Sequence, residues 1–163
     1  MIFCTVGTQL PFDRLLGSVD NLAIMYSDKR FYGQIGDSKY LPHNFEWIRS
    51  LDETSYHQIL KEAELIIGHA GMGTILTAFE YGIPVIIIPR LLEFGEHRND
   101  HQLSTIKKFS NRDGVFACED INDLETVFAD ALSYTRKKHA NNDSCINFSR
   151  KLMSIVDSLK VKK

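Results

Sequence analysis

The sequence predicts an α/β fold, a Rossmann-like, mostly parallel sheet with helices on both faces, from three observations. Val85-Ile86-Ile87-Ile88 and Leu65-Ile66-Ile67-Gly68 are uninterrupted apolar runs, whereas a strand with one face in water carries a polar side chain at every second position. Segments of helical periodicity alternate with these runs along the whole chain, the order expected of βα units closing a parallel sheet. Finally, the stretch from Glu64 to Glu80 passes from a buried strand through Gly68, Gly71 and Gly73 into a helix, a strand, turn and helix arrangement able to cradle an anion.

Taken in order, Met1 to Val6 is apolar and β-prone and stops at Gly7-Thr8-Gln9, giving a central strand with a loop at its carboxyl end. Pro11 starts a helix over 11–26, in which Phe12, Leu15, Leu16, Val19, Leu22 and Ala23 recur at helical spacing and form the face turned to the sheet. Arg30 to Ile35 and Asn44 to Ile48 read as two further strands, separated by the polar turn Gly36-Asp37-Ser38-Lys39. Thr54 to Glu62 is a helix feeding the strand Leu65–Gly68. After the glycine turn a helix runs from Thr74 to Tyr81 and is ended by Gly82 and Pro84. Pro89 closes the strand Val85–Ile88, and the polar stretch from Arg90 to His97 leads into a helix from Asn99 to Phe109. Val115–Cys118 supplies a last short strand and Asp123 to Lys138 another helix. Beyond the break Asn141-Asn142-Asp143-Ser144, the residues Phe148, Leu152, Ile155, Val156 and Leu159 mark one stripe of a terminal helix at about 144–159. No linker or repeat divides the chain, so residues 1–163 form one domain.

Composition narrows the function. A net charge of −2 with 25% charged residues provides no basic field of the kind that attracts nucleic acid. The three cysteines, Cys4, Cys118 and Cys145, are widely spaced and form no CxxC pair, which argues against a disulfide framework or a thiolate metal site and for reduced, cytosolic thiols. No run reaches the ~18 apolar residues of a membrane span, so the sequence reads as that of a soluble protein.

In an open parallel sheet, ligands bind beyond the carboxyl ends of the strands, near the point where strand order reverses. Three segments lie at such ends: Gly7-Thr8-Gln9, His69-Ala70-Gly71-Met72-Gly73-Thr74, and the segment carrying Arg90, Glu93, His97, Asn99, Asp100, His101 and Gln102. Backbone amides in the glycine turn and the amino end of the following helix suit a diphosphate. The same glycines would also serve a tight turn that only packs strand against helix. His69 reads as a binding residue, able to hydrogen-bond a leaving diphosphate or to satisfy the turn itself. Asp13, the early carboxylate beside the first loop, suits a favourable interaction with the helix dipole at least as well as base chemistry. His97 and His101, four apart, would share a helix face and raise a metal site, for which no HExxH pattern or third ligand is present.

The ordered set Gly7-Thr8-Gln9 with Phe12-Asp13-Arg14, then His69-Ala70-Gly71-Met72-Gly73-Thr74 with Glu80, Pro84 and Pro89, then Asn99-Asp100-His101-Gln102, resembles the family 28 glycosyltransferase carboxyl-terminal domain over nearly the whole chain. More narrowly it is similar to stand-alone donor subunits of split GT-B enzymes, the bacterial capsule and exopolysaccharide type fitting best. The resemblance implies a chain that binds a UDP-sugar as substrate and needs no cofactor or catalytic metal. It implies a membrane-associated partner subunit that supplies a lipid-linked saccharide acceptor, and a cytoplasmic protein recruited to the inner face of the membrane by that partner. By the same carry-over, Thr74 and nearby backbone hold the diphosphate, Glu80 takes the ribose hydroxyls, and Asp100 or Gln102 addresses the donor sugar. His97 and Arg98 have no assignable family role, so the sugar contacts could shift by a position. No residue is assigned as the general base. The apolar stripe of the terminal helix suits either the partner or this domain's own core. Two alternatives stay open: a noncatalytic subunit that stabilises its partner, and a redox nucleotide-binding protein. The latter is disfavoured because the first strand-to-helix turn carries Gly7 alone instead of GxGxxG.

Overall fold

A computed structural model describes residues 1–98 and 101–140. Six strands, β1 (Ile2–Thr5), β2 (Phe31–Gln34), β3 (Glu46–Ile48), β4 (Leu65–His69), β5 (Val85–Ile88) and β6 (Val115–Ala117), form one sheet in the order β3-β2-β1-β4-β5-β6. Every pairing is parallel. The chain winds outward from β1 to β3 and then returns to lay β4 on the other side of β1, so the reversal of strand order falls between β1 and β4. There Thr5 pairs with Gln34 on one side and Gly68 on the other.

Among the described residues five α-helices cover the sheet: α1 (Asp13–Met25), α2 (Glu53–Glu62), α3 (Met72–Tyr81), α4 (His101–Phe109) and α5 (Leu124–Ala140). Alternation along the strands feeds two separate cores. Cys4, Ile67 and Ile86 point into one with Leu15, Leu16 and Val19 of α1 and Phe128 of α5. Phe3, Ile66 and Ile87 point into the other with Leu60 of α2, Ile75 and Phe79 of α3, and Ile106 of α4. Both faces of each central strand are therefore dry, which is why the strands read as continuous apolar runs.

Several boundaries move from the sequence reading. α1 begins at Asp13 instead of Pro11, because Phe12 holds a non-helical backbone, φ −148° and ψ 64°, and donates its amide to Ser38 Oγ. α3 begins two residues before Thr74, with Gly71 in extended conformation as the cap. The polar stretch after β5 contains a 3-10 turn, Leu92–Phe94, closed by Gly95 at φ 66°. The terminal helix at about 144–159 lies outside the described residues, and so does its stripe.

The loop between β2 and β3 is tied to α1 by two acids, one buried and one half-buried. Asp20 is 2% exposed and accepts from Tyr40 Oη and from the amides of His43 and Asn44. Asp13 Oδ1 accepts from the amides of Lys39 and Tyr40.

Candidate functional site

The loops after β1, β3, β4 and β5 meet over the strand-order reversal and enclose a cleft of about 640 Å³, within the range of small-molecule sites. Its floor is the amino end of α3. Met72, Gly73 and Thr74 supply the first helical amides, which have no carbonyl one turn back to pair with, and the helix dipole adds partial positive charge there. Gly73 faces open space, since a Cβ placed on it would meet nothing within 4 Å. Gly7 and Gly71 differ from it. A Cβ on Gly7 would lie 2.6 Å from His69 Cε1, and one on Gly71 would run into the same ring at Nε2. These two glycines make room for the His69 imidazole, so the packing explanation holds for them, and Gly73 is the glycine open to a ligand.

His69 is thus sandwiched between the first and second loops, with Nδ1 at 3.4 Å from Thr74 Oγ1. Burial, reinforced by the nearby Arg90 and His97, pushes its pKa down from 6.5 to about 4. It is neutral at physiological pH, and its contribution is a hydrogen bond instead of a cation. The linkage is as follows: the unfolded chain binds the proton more readily than the folded one, so the stability due to neutral His69 is complete above pH 6.5 and declines as pH falls toward about 4. Asp20 contributes at still lower pH. Burial raises its pKa, but the His43 and Asn44 amides and the Tyr40 hydroxyl more than offset this, leaving it below the ordinary 3.8. Its stabilising share is present above that value and is lost as the carboxylate protonates. The thermal midpoint should therefore hold steady above pH 6.5 and drop between 6.5 and about 4. In His69→Asn that first drop should vanish while the acid limb remains, which differential scanning calorimetry across pH reads directly.

The third segment is held by two arginines. Arg90 is 3% exposed. Burial lowers its pKa to about 10, so it stays charged at neutral pH. It donates through Nη2 to the Val6 and Leu10 carbonyls at 2.6 and 2.5 Å, and its backbone amide donates to Gln102 Oε1. Arg14 donates to the Pro89 carbonyl and forms a two-pronged pair with Glu96, both prongs 2.8 Å. Glu96 Oε2 also accepts from the Leu91 amide, which pins the loop after β5 against α1.

Of the residues expected at the site, Gly7, Thr8, Gln9, His69, Gly71, Met72, Gly73, Thr74, Arg90 and Gln102 line the cleft. Ala70 is buried beneath it. His101 and Glu80 are exposed and lie outside its lining. Asn99 and Asp100 lie outside the described residues. His97 reaches the cleft from the loop ahead of α4, so the shared helix face proposed for His97 and His101 does not form. Asp13 Oδ1 accepts from the Lys39 and Tyr40 amides, a loop-anchoring role, and the residue lies outside the lining of the cleft.

Sequence reasoning missed one whole wall: Ser50, Leu51, Glu53 and Tyr56 after β3, with Thr77 opposite on α3. The signal was available, because the loop after β3 is also a strand end on this sheet, and Thr77 follows Thr74 by one helical turn. Glu53 is the one carboxylate lining the cleft among the described residues. Tyr56 packs edge-on against Phe3 at 5.9 Å and is hydrogen-bonded to Thr77.

A doubly wound parallel sheet whose strand-order reversal opens onto a free helix amino end is a Rossmann-like α/β domain with its cleft where such sheets bind ligands. The chain belongs to the glycosyltransferase family 28 C-terminal domain, whose model matches residues 1–156. It is similar to the UDP-N-acetylglucosamine transferase subunit ALG13 of Homo sapiens, 33% identical over 129 residues that make up 72% of this chain and 11% of that protein. The chain thus spans about a tenth of that relative's length. Among solved structures, the glycosyltransferase of kitacinnamycin superposes with a TM-score of 0.63 at 14% identity, over 94% of this chain and 39% of the other. The solution structure of ALG13 gives 0.56 at 18% identity, over 78% and 83%. Both confirm the fold class expected from the sequence.

Proposed function

We propose that this chain is the donor-binding component of a two-component glycosyltransferase, taking a sugar from a UDP-sugar to a lipid-linked acceptor presented by a membrane-associated partner, in exopolysaccharide or capsule synthesis. The observation that carries the reading is the free amino end of α3 opening through Gly73 into the cleft at the strand-order reversal, in a chain of this glycosyltransferase family. The word subunit in the human relative's name and its UDP-N-acetylglucosamine donor support the division of labour and the nucleotide. No helix among the described residues is long and apolar enough to cross a membrane. The chain is proposed to be a cytoplasmic component brought to the inner face of the membrane by its partner.

The cleft supports a definite orientation of the donor. The diphosphate sits on the Met72, Gly73 and Thr74 amides with the Thr74 hydroxyl, and neutral His69 donates or accepts beside it. Leu51 and Tyr56 offer an apolar and aromatic wall for the base, and Glu53 is the carboxylate placed to accept both hydroxyls of a ribose. His97 and Gln102, on the opposite side, face the sugar. Gln102 spends its Oε1 on the Arg90 amide, so its amide nitrogen is the group left to meet a sugar hydroxyl. In the transfer, the acceptor hydroxyl oxygen bonds to the anomeric carbon and the bond from that carbon to the phosphate oxygen breaks. The electron pair leaves with UDP onto the helix amides, and the acceptor proton passes to a base carried by the partner.

Titration calorimetry with UDP tests the reading and assigns the ribose carboxylate. Binding by the full chain is the expected result, and absence of binding by the folded protein would sink it. Glu53→Ala should weaken UDP about tenfold or more, the loss of a charged hydrogen-bonding partner. Glu80→Ala should stay within about twofold, because Glu80 sits about 10 Å along α3 from Gly73. The reverse pattern would restore the ribose role that the family resemblance implies for Glu80.

A further inference from the structure

We propose that Arg90 is a positioning residue that cinches the loop from Val6 to Leu10 and so presents the Thr8 and Gln9 amides to the cleft, without itself touching the donor; the proposal rests on the reading that the cleft takes UDP. Two carbonyls four residues apart, Val6 and Leu10, accept from the same Nη2 of Arg90. One buried nitrogen thereby draws both ends of the loop to a single point. Between those ends Gln34 Nε2 holds the Gly7 carbonyl at 3.0 Å and the Arg49 carbonyl at 3.1 Å, while its Oε1 accepts from Thr5 Oγ1. In a planar trans peptide the amide of the next residue points the opposite way from the carbonyl, so holding the Gly7 carbonyl inward turns the Thr8 amide outward. The Thr8 and Gln9 amides have no acceptor among the described residues, and both residues line the cleft.

The chemistry of Arg90 fits a strut better than a ligand contact. Its charge is buried against neutral carbonyls and the Phe12 ring, 5.1 Å from the ring centre, and the nearby acid Glu96 is engaged by Arg14. Its Nε–H is buried with no acceptor among the described residues. A cation kept in so costly a setting is explained by what it holds in place, since a buried charge without a carboxylate partner adds little to stability. The planar fork also matters, because lysine keeps the charge but is shorter and presents a single point of donation.

The full chain supports three measurements. In the ligand-free protein, Arg90→Lys should raise the hydrogen-exchange rates of the 7–10 amides about tenfold or more while the exchange of β1 and β4 stays as in wild type. By calorimetry the same variant should bind UDP about tenfold more weakly. In wild type, nuclear magnetic resonance with UDP should shift the Thr8 and Gln9 amides strongly and show no hydrogen-bond coupling between Arg90 side-chain nitrogens and phosphorus. Such a coupling would make Arg90 a contact residue and overturn the proposal. Wild-type affinity in Arg90→Lys would overturn it too, by showing that charge alone suffices. Should wild type fail to bind UDP, the functional reading falls. The exchange comparison still decides the strut, and unchanged exchange in 7–10 would reject it. If Arg90→Lys does not fold, the wild-type coupling measurement alone carries the decision.

Discussion

Gly73→Val should remove measurable UDP binding and leave the protein at least as stable as wild type. A Cβ at Gly73 meets nothing within 4 Å, so the new side chain clashes with no part of the protein. It stands instead in the space that the first amides of α3 face, where a diphosphate would have to approach to within hydrogen-bonding distance. Blocking those amides forfeits several charge-assisted hydrogen bonds at once, so a loss of about a hundredfold or more in affinity is expected. Replacing glycine inside a helix gains a few tenths of a kcal/mol from reduced freedom of the unfolded chain. The thermal midpoint should therefore hold or rise. Gly71→Val makes the contrast, since its Cβ would collide with the His69 ring and should lower the midpoint together with binding. Calorimetry and thermal unfolding of the two variants side by side check the assignment. Wild-type UDP affinity in folded Gly73→Val would move the diphosphate away from the amino end of α3.

The second large effect is on turnover. If the acceptor and the general base come from a partner subunit, the purified chain should transfer no measurable sugar from a UDP-sugar to a lipid-linked acceptor, and addition of the partner should restore transfer. The physical reason lies in the cleft. On its described wall His69 is neutral, Arg90 is committed to two carbonyls and Glu53 stands on the nucleoside side of the proposed donor; His97 is the group of this chain on the sugar side, and the acceptor itself is expected from the partner. A radiolabelled donor in a transfer assay, with and without the partner, gives the answer. Robust transfer by the chain alone would overturn the two-component reading while leaving the glycosyltransferase one standing. Restored transfer by a partner paired with Gly73→Val would show that the partner carries the donor site and that this chain only stabilises it.

How much of this was legible beforehand varies with the range of the interaction. The unbroken runs Leu65–Gly68 and Val85–Ile88 announced strands dry on both faces, and the structure places their alternate residues in two cores. The glycine turn before α3 and the helix that follows it were equally readable, as were ten of the residues that line the cleft. The roles within that set were less so. Arg90 read as a donor contact, yet its guanidinium is engaged by carbonyls 84 and 80 positions earlier in the chain. Glu80 has the right chemistry for a ribose but lies outside the lining of the cleft, while Glu53, the first residue of α2, is part of that lining.

The sequence by itself therefore determined the fold class, the order of the strands and helices within a residue or two at most ends, and the glycine turn and helix amino end that line one side of the cleft, because burial period, glycine freedom and helix ends are properties of consecutive residues. Only the tertiary structure decided which glycine is open to a ligand, that His69 is neutral, that buried Arg90 locks the first loop to the third, and that half-buried Arg14 ties the third loop to α1. Each of those depends on what a distant segment places against the side chain. Burial and hydrogen-bond partners are set by the packing of β1 beside β4 and β5, and spacing along the chain carries no record of it.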